Sequence, residues 1–83
     1  QMVHLNINRI KRAKILLPRL AKNKVLRKLH LIGTELTDED LKYIGRIRSL
    51  QWMDLKNNFF TDRGVSALSG LVNMQDLQVD GLG

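Results

Sequence analysis

One apolar pattern, repeated in strict register, constrains the fold of this chain more than any other feature. The blocks that start at Met2, Leu26, Leu50 and Met74 each have apolar residues at their first, fourth and sixth positions. The starting positions 2, 26, 50 and 74 lie 24 residues apart at every step, without insertion. A fixed period of about 20 to 50 residues is the sequence signature of repeat architectures. We therefore predict one strand in each block.

A second pattern follows the two central blocks. Thr37 and Thr61 precede acidic residues, which is typical of the N-cap and first turn of a helix, and this capping accounts for the acids at 38–40. Apolar residues then recur near helical spacing, giving each predicted helix one buried face. These residues are Leu41, Ile44 and Ile47 in one unit and Val65, Leu68 and Leu71 in the next. Helices this short do not persist alone, so stacking between units must hold them.

Thr34 and Asn58 occupy the same position of their units, shortly after the predicted strand. A buried Thr or Asn there can hydrogen-bond turning backbone that otherwise lacks partners. With this position included, residues 26–36 and 50–60 resemble the consensus of the leucine-rich repeat family. The sequence motif T-x-L-T-D is similar to bacterial and ligase-adaptor-type repeats. The ligase-adaptor type often has a cysteine near the position of Thr34 and Asn58, and that cysteine is absent here.

The resemblance covers about residues 26–82 and implies an α/β leucine-rich-repeat solenoid. Such a chain forms a short right-handed horseshoe segment, with parallel strands on the concave face and short helices on the convex face. It implies a single domain over residues 1–83, with an atypical basic unit at 2–25, regular units at 26–49 and 50–73, and a partial unit at 74–83. The family is defined by its scaffold, so the resemblance indicates architecture rather than function.

The first unit departs from the pattern. Ile10 stands at the polar turn position, and Arg12 stands where the later units have leucine or phenylalanine. Residues 13–25 have apolar residues at helical spacing, namely Ile15, Leu16, Leu17 and Leu20. Pro18 predicts a break or a helix start nearby. At the other end the chain stops inside a unit at Gly83, which suggests a fragment, a docking surface or self-association.

Positive charge is concentrated in the first unit. The formal net charge is +6, and nine of the 14 basic residues, but none of the eight acidic ones, lie in residues 1–28. The candidate basic patch consists of Arg9, Lys11, Arg12, Lys14, Arg19 and Lys22. Such a patch can contact nucleic-acid phosphates, an anionic membrane or an acidic protein, or it can be a solvated helix face.

Alternate residues of the predicted strands face away from the core and form a candidate partner-binding surface. Its members are Lys28, His30, Trp52, Asp54, Lys56, Asp76 and Gln78. Trp52 is the only tryptophan, and the repeat does not require an apolar residue at its position. A rigid aromatic side chain inside a polar surround is typical of an interface anchor. The alternative is that Trp52 shields the neighbouring strands from water.

Several kinds of site find little support. Cysteine is absent, which excludes a disulfide framework and fits an intracellular protein. The longest apolar run, 15–17, is far shorter than the ~20 residues of a membrane span. His4 and His30 have no convergent carboxylate, which predicts solvated histidines rather than a metal site. Without a Gly-rich phosphate loop or a nucleophile beside a base, we expect neither an enzyme nor a cofactor.

The sequence therefore predicts a non-catalytic protein-interaction module with a protein partner. That partner is bound by the concave strand face, by the basic first unit, or by both. Two alternatives remain open at this point. One is a basic RNA-associated or ribonucleoprotein-associated component, and the other is a structural subunit of a large assembly.

Overall fold

The computed structural model describes residues 3–80, so Met2 and the last residues of the partial unit lie outside the described range. Four short strands alternate with three short helices and one 3₁₀ turn. In chain order the elements are β1 (His4–Asn6), the 3₁₀ turn (Ala13–Leu16), α1 (Leu17–Leu20), β2 (Lys28–His30), α2 (Asp38–Ile44), β3 (Trp52–Asp54), α3 (Asp62–Ser66) and β4 (Asp76–Gln78).

The four strands form one parallel sheet in the order β1-β2-β3-β4. Leu5 pairs with Leu29, Leu29 with Met53, and Met53 with Leu77, so each partner lies one period further along the chain. Each strand falls within its predicted block. Because side chains alternate between the two faces of a strand, this register places the apolar residues of all four strands on one side of the sheet.

The core lies on that side of the sheet and is almost entirely aliphatic. In the second and third units the first, fourth and sixth block residues are fully buried; they are Leu26, Leu29, Leu31, Leu50, Met53 and Leu55. Leu41, Ile44 and Ile47 close the core from α2 and the segment after it, as predicted. Consecutive helices contact one another, α1 with α2 and α2 with α3.

Asn58 ties two consecutive units together after their strands. Its Oδ1 accepts hydrogen bonds from the backbone N–H groups of Thr34 (3.0 Å) and Leu36 (2.9 Å). Its Nδ2 donates to the carbonyl oxygens of Leu31 (2.8 Å) and Leu55 (2.9 Å). The predicted role of this position is therefore confirmed: the amide satisfies turning backbone that the strands leave unpaired.

The turns after β1, β2 and β3 also share one backbone conformation. Arg9, Gly33 and Asn57, which occupy equivalent positions of consecutive units, have φ angles of 61°, 62° and 60°. This left-handed region favours glycine, and asparagine adopts it more readily than most other residues. Arg9 is the least suited of the three, in keeping with the irregular first unit.

The first unit differs from the prediction in the face that its helical segment buries. Pro18 lies in the first turn of α1, as expected for a helix that begins there. Ile15 and Leu16, predicted to join the buried stripe, are 65% and 40% exposed. The segment starts as a 3₁₀ turn, whose tighter winding rotates these two side chains outward, and Ala13 replaces them in the core beside Leu17 and Leu20.

The acidic residues Asp38, Glu39 and Asp40 lie in the first turn of α2, as predicted, but the carboxylates of Asp38 and Asp40 make different hydrogen bonds. Asp40 accepts hydrogen bonds from the N–H and hydroxyl of Thr37, at 2.9 and 3.0 Å. Asp38 instead caps α3: it accepts from the Thr61 N–H (2.6 Å), the Thr61 hydroxyl (2.8 Å) and the Gly64 N–H (3.1 Å). The Thr61 backbone bond, followed by its hydroxyl bond, holds the pKa of Asp38 below 3.8.

Gly64 makes this close approach of α2 and α3 possible. A Cβ atom at Gly64 would lie 2.5 Å from Oδ1 of Asp38 and 2.9 Å from a methyl carbon of Leu41. Any larger residue would therefore push the two helices apart.

Across residues 3–80, none of the helices has the length and apolar character needed to cross a membrane.

Candidate binding surface on the strand face

Three aromatic rings form a continuous row across β1, β2 and β3 on the face opposite the core. The imidazoles of His4 and His30 are stacked, with centroids 4.8 Å apart and planes inclined by 17°. The His30 ring lies 4.5 Å from the Trp52 ring at an inclination of 45°. We call these three residues the aromatic row.

Strand register explains how the aromatic row forms. His4 and Trp52 both pair in register with Lys28, whereas His30 is two positions further along β2. His30 therefore reaches diagonally into the space between the other two rings, and Lys28 remains exposed beside it. Diagonal neighbours on a sheet are within reach of aromatic side chains. The row gives the strand face a ridge of ring surface that no single strand supplies.

The aromatic row corrects the prediction of two solvated histidines. His4 is exposed, but His30 is half-buried between His4 and Trp52. Trp52 is half-buried as well, so its ring both shields His30 and presents surface to solvent. Half-burial fits the shielding interpretation of Trp52, and its role as an interface anchor stays a prediction.

Polar and charged residues surround the aromatic row. Asp54 lies on this face but is only 6% exposed. Its carboxylate accepts from the Lys56 N–H (3.1 Å) and lies 3.7 Å from the Lys56 ammonium. On β4, Asp76 is exposed and Gln78 is half-buried. Across the sheet, the residues in register are therefore His4, the exposed Lys28, Trp52 and the exposed Asp76.

The environment of His30 disfavours its charged form. Desolvation is the main cause, the neighbouring His4 adds to it, and together they outweigh Asp54, so the pKa of His30 lies below 6.5. As the pH falls, the His30 imidazole is therefore protonated at a higher pH in the unfolded state than in the folded state. His30 supports the fold fully above pH 6.5, and that contribution is lost as the pH falls from 6.5 through the pKa of the folded state.

An NMR titration of the imidazole protons measures this effect directly. We expect the His30 midpoint to lie below 6.5 in the wild type. Trp52→Ala should return it towards 6.5, because the indole that covers the imidazole is removed. Phe59→Ala is the matched control, since Phe59 is 67% exposed and lies outside the strands. A wild-type midpoint at or above 6.5 contradicts a desolvated His30.

The candidate basic residues are divided between two ends of the first unit. All of them are exposed. Arg9, Lys11 and Arg12 follow the carboxyl end of β1, whereas Lys22 follows α1 and lies towards the amino end of β2. Lys14, between these groups, lies 3.9 Å from the Asp40 carboxylate. Residues 9–22 therefore present charge towards both ends of the strands.

Within residues 3–80 no group of three or more His, Cys, Asp or Glu side chains could hold a metal ion.

No protein-family model matches the chain, and no curated protein matches it. The candidate surface is therefore characterised by its own geometry: a parallel sheet that carries the aromatic row, with Lys28 and Asp76 on the two sides of Trp52.

Proposed function

We propose that this chain is a leucine-rich-repeat solenoid that serves as a protein-interaction module. The solenoid is supported by three features that recur with the same period: the strand register, the left-handed turn residues and the polar residues that tie successive turns. In such a solenoid the sheet lines the concave side, which is the extended binding surface of repeat proteins.

The aromatic row is the observation that favours binding. Rigid rings supply a large contact area and lose little side-chain entropy on binding, because they have few rotatable bonds. His30 and Trp52 already hold each other in place, at a centroid distance of 4.5 Å, before any partner arrives. Preorganisation of this kind raises affinity, because less ordering is required at the moment of association.

The charges around the aromatic row indicate the kind of partner. In strand register Trp52 is flanked by Lys28, an exposed cation, on β2 and by the exposed carboxylate of Asp76 on β4. A complementary ligand is an extended polypeptide with an apolar or aromatic residue over His30 and Trp52. It has an acidic residue towards β2 and a basic residue towards β4.

Selection from a displayed library of random peptides tests this proposal. Immobilised wild-type protein should enrich peptides with an apolar or aromatic residue between an acidic and a basic one. Synthetic copies of these peptides should compete with one another for a single site. Enrichment of peptides without this charge order, or no enrichment at all, contradicts binding by the strand face.

Contact with RNA is the second candidate, and the exposure of the basic residues favours it. Electrostatic binding to phosphates weakens steeply with salt, because bound counterions are released. The signature of this alternative is a salt-dependent RNA affinity that is abolished by neutralising Lys11, Arg12 and Lys14. The segment 9–14 itself has no aromatic residue for base stacking.

A further inference from the structure

Four cations that are separated in the sequence surround one concave pocket. The pocket has a volume of about 300 Å³ and lies beside the segments that follow α1 and α2. Its charged lining residues are Lys22, Lys24, Arg46 and Arg48, and no acidic residue of the described chain lines it. We call this site the basic pocket.

The repeat register assembles the basic pocket. Arg46 lies one full period after Lys22, and Arg48 lies one full period after Lys24, so each pair occupies equivalent positions of consecutive units. In the third unit the same two positions hold Gly70 and Val72. The fourfold charge therefore arises only where the first and second units meet.

No protein carboxylate balances these charges in the described part of the chain. The ion pairs there join Lys14 to Asp40, Lys42 to Glu39 and Lys56 to Asp54, and none of them includes a cation of the basic pocket. Like charges at neighbouring positions repel one another. An anion placed between them converts this repulsion into attraction, and a concave wall strengthens its field.

The uncharged residues of the basic pocket hold its shape. Asn23 Oδ1 accepts from the N–H groups of Val25 (2.8 Å) and Leu26 (2.7 Å). The Ser49 hydroxyl donates to the Leu26 carbonyl at 2.6 Å. These bonds fasten the segment before β2 to the segment before β3, so the two pairs of cations face a fixed floor.

One of the four cations is also held by an aromatic ring. The guanidinium carbon of Arg46 lies 5.7 Å from the centroid of the Tyr43 ring, within the range of a cation–π interaction. Arginine presents several N–H donors in a plane and suits phosphate oxygens in a bidentate arrangement. The two lysines add compact charge that can adapt to the remaining oxygens.

We propose that the basic pocket binds the phosphate group of a small anionic ligand. Its concave shape and limited volume favour a compact anion with several charges over a long chain lying across a flat surface. None of its lining residues is aromatic, so stacking of nucleic-acid bases has no platform there. The basic pocket is separate from the strand face, and its occupancy does not depend on the binding of a polypeptide.

Titration calorimetry with pyrophosphate at low ionic strength tests the basic pocket. We expect one molecule to bind per chain, with an affinity that falls as salt is added. The double variant Lys22→Gln, Arg46→Gln removes two cations of the basic pocket that occupy equivalent positions of consecutive units. It should bind at least about tenfold more weakly, because charge-assisted hydrogen bonds are lost.

The double variant Lys11→Gln, Arg12→Gln is the matched control, because it removes the same charge outside the basic pocket. It should keep the wild-type affinity within about twofold, since screening by salt limits the reach of distant charges. All four substituted side chains are exposed, and circular dichroism checks that both variants fold. Equal weakening in the two variants, or no pyrophosphate binding by a folded wild type, overturns the proposal.

Two further arms identify the source of the phosphate. Flotation with vesicles that contain a phosphoinositide, but not with neutral vesicles, assigns the site to a lipid headgroup when the Lys22→Gln, Arg46→Gln variant fails to bind. Pyrophosphate binding without vesicle binding assigns it to a soluble phosphate ester. The third outcome contradicts a phosphate pocket: pyrophosphate does not bind, and single-stranded RNA binds the wild type and both double variants equally.

Discussion

Asn58→Ala is expected to lower the free energy of unfolding by about 3 kcal/mol, a large part of the total for a chain of this size. The amide bonds the Thr34 and Leu36 N–H groups and the Leu31 and Leu55 carbonyls. Alanine leaves the two N–H groups and the Leu55 carbonyl without a partner, whereas the Leu31 carbonyl keeps the Thr34 hydroxyl (2.9 Å). Thr34, Leu36 and Leu55 are fully buried. Each unsatisfied buried group costs roughly 1–3 kcal/mol, partly relieved where water enters.

Urea denaturation measures the loss, and Asn73→Ala provides the matched control. Asn73 makes one hydrogen bond between units, from Nδ2 to the Arg48 carbonyl (3.1 Å), and it is exposed. Its replacement should cost less than about 1 kcal/mol, because water can satisfy the freed carbonyl. Similar losses for the two variants contradict the role of Asn58 as the tie between buried turns.

Trp52→Ala is expected to weaken binding of a library-selected peptide by about 30-fold or more, with the fold retained. Truncating an aromatic anchor at the centre of an interface commonly costs about 2 kcal/mol or more. Trp52 also holds His30, so its removal loosens a second ring of the contact surface. Because Trp52 lies on the face opposite the buried core, its loss should affect stability far less than affinity.

Phe59→Ala is the control for this measurement because it removes another exposed aromatic side chain. Phe59 is 67% exposed and lies in the segment after β3, away from the aromatic row. Peptide affinity, measured by fluorescence anisotropy, should be unchanged in Phe59→Ala. A folded Trp52→Ala protein with wild-type affinity contradicts the anchor role, and so does a larger loss in Phe59→Ala.

The sequence predicted one strand in each block, and each observed strand lies inside its block. An alternating pattern that recurs at a fixed period allows one register, because a slip by one position would turn the apolar residues outward. Leu29, Met53 and their partners accordingly lie where the pattern placed them. The threonines before α2 and α3 were equally informative, since capping depends on local sequence.

Contacts between units were harder to predict, because they depend on side-chain direction. Asp38 lies in the first turn of α2 as predicted, but the local sequence does not show that its carboxylate reaches Thr61 and Gly64 of the next unit. His4, His30 and Trp52 were each recognised as residues of the strand face, but their diagonal stacking follows from rotamers that the sequence does not specify. The prediction for the first unit differed from the structure for another reason: residues 13–16 form a 3₁₀ turn, which changes the face that their side chains present.

The basic pocket could have been found from the sequence. Extending the repeat register to charged residues pairs Lys22 with Arg46 and Lys24 with Arg48. The excess charge of the first unit alone does not indicate the basic pocket, because two of the four cations belong to the second unit. In a repeat chain, charge is better compared between equivalent positions than along continuous segments.

An amide chemical-shift map with a library-selected peptide tests binding by the strand face most directly. The largest changes should follow the surface on both sides of the aromatic row, at Lys28, His30, Trp52 and Asp76. Residues of the basic pocket should move little, because they lie off the strands. A map with its largest changes around Arg46 and Arg48, and none along β2 and β3, would contradict the proposed binding surface.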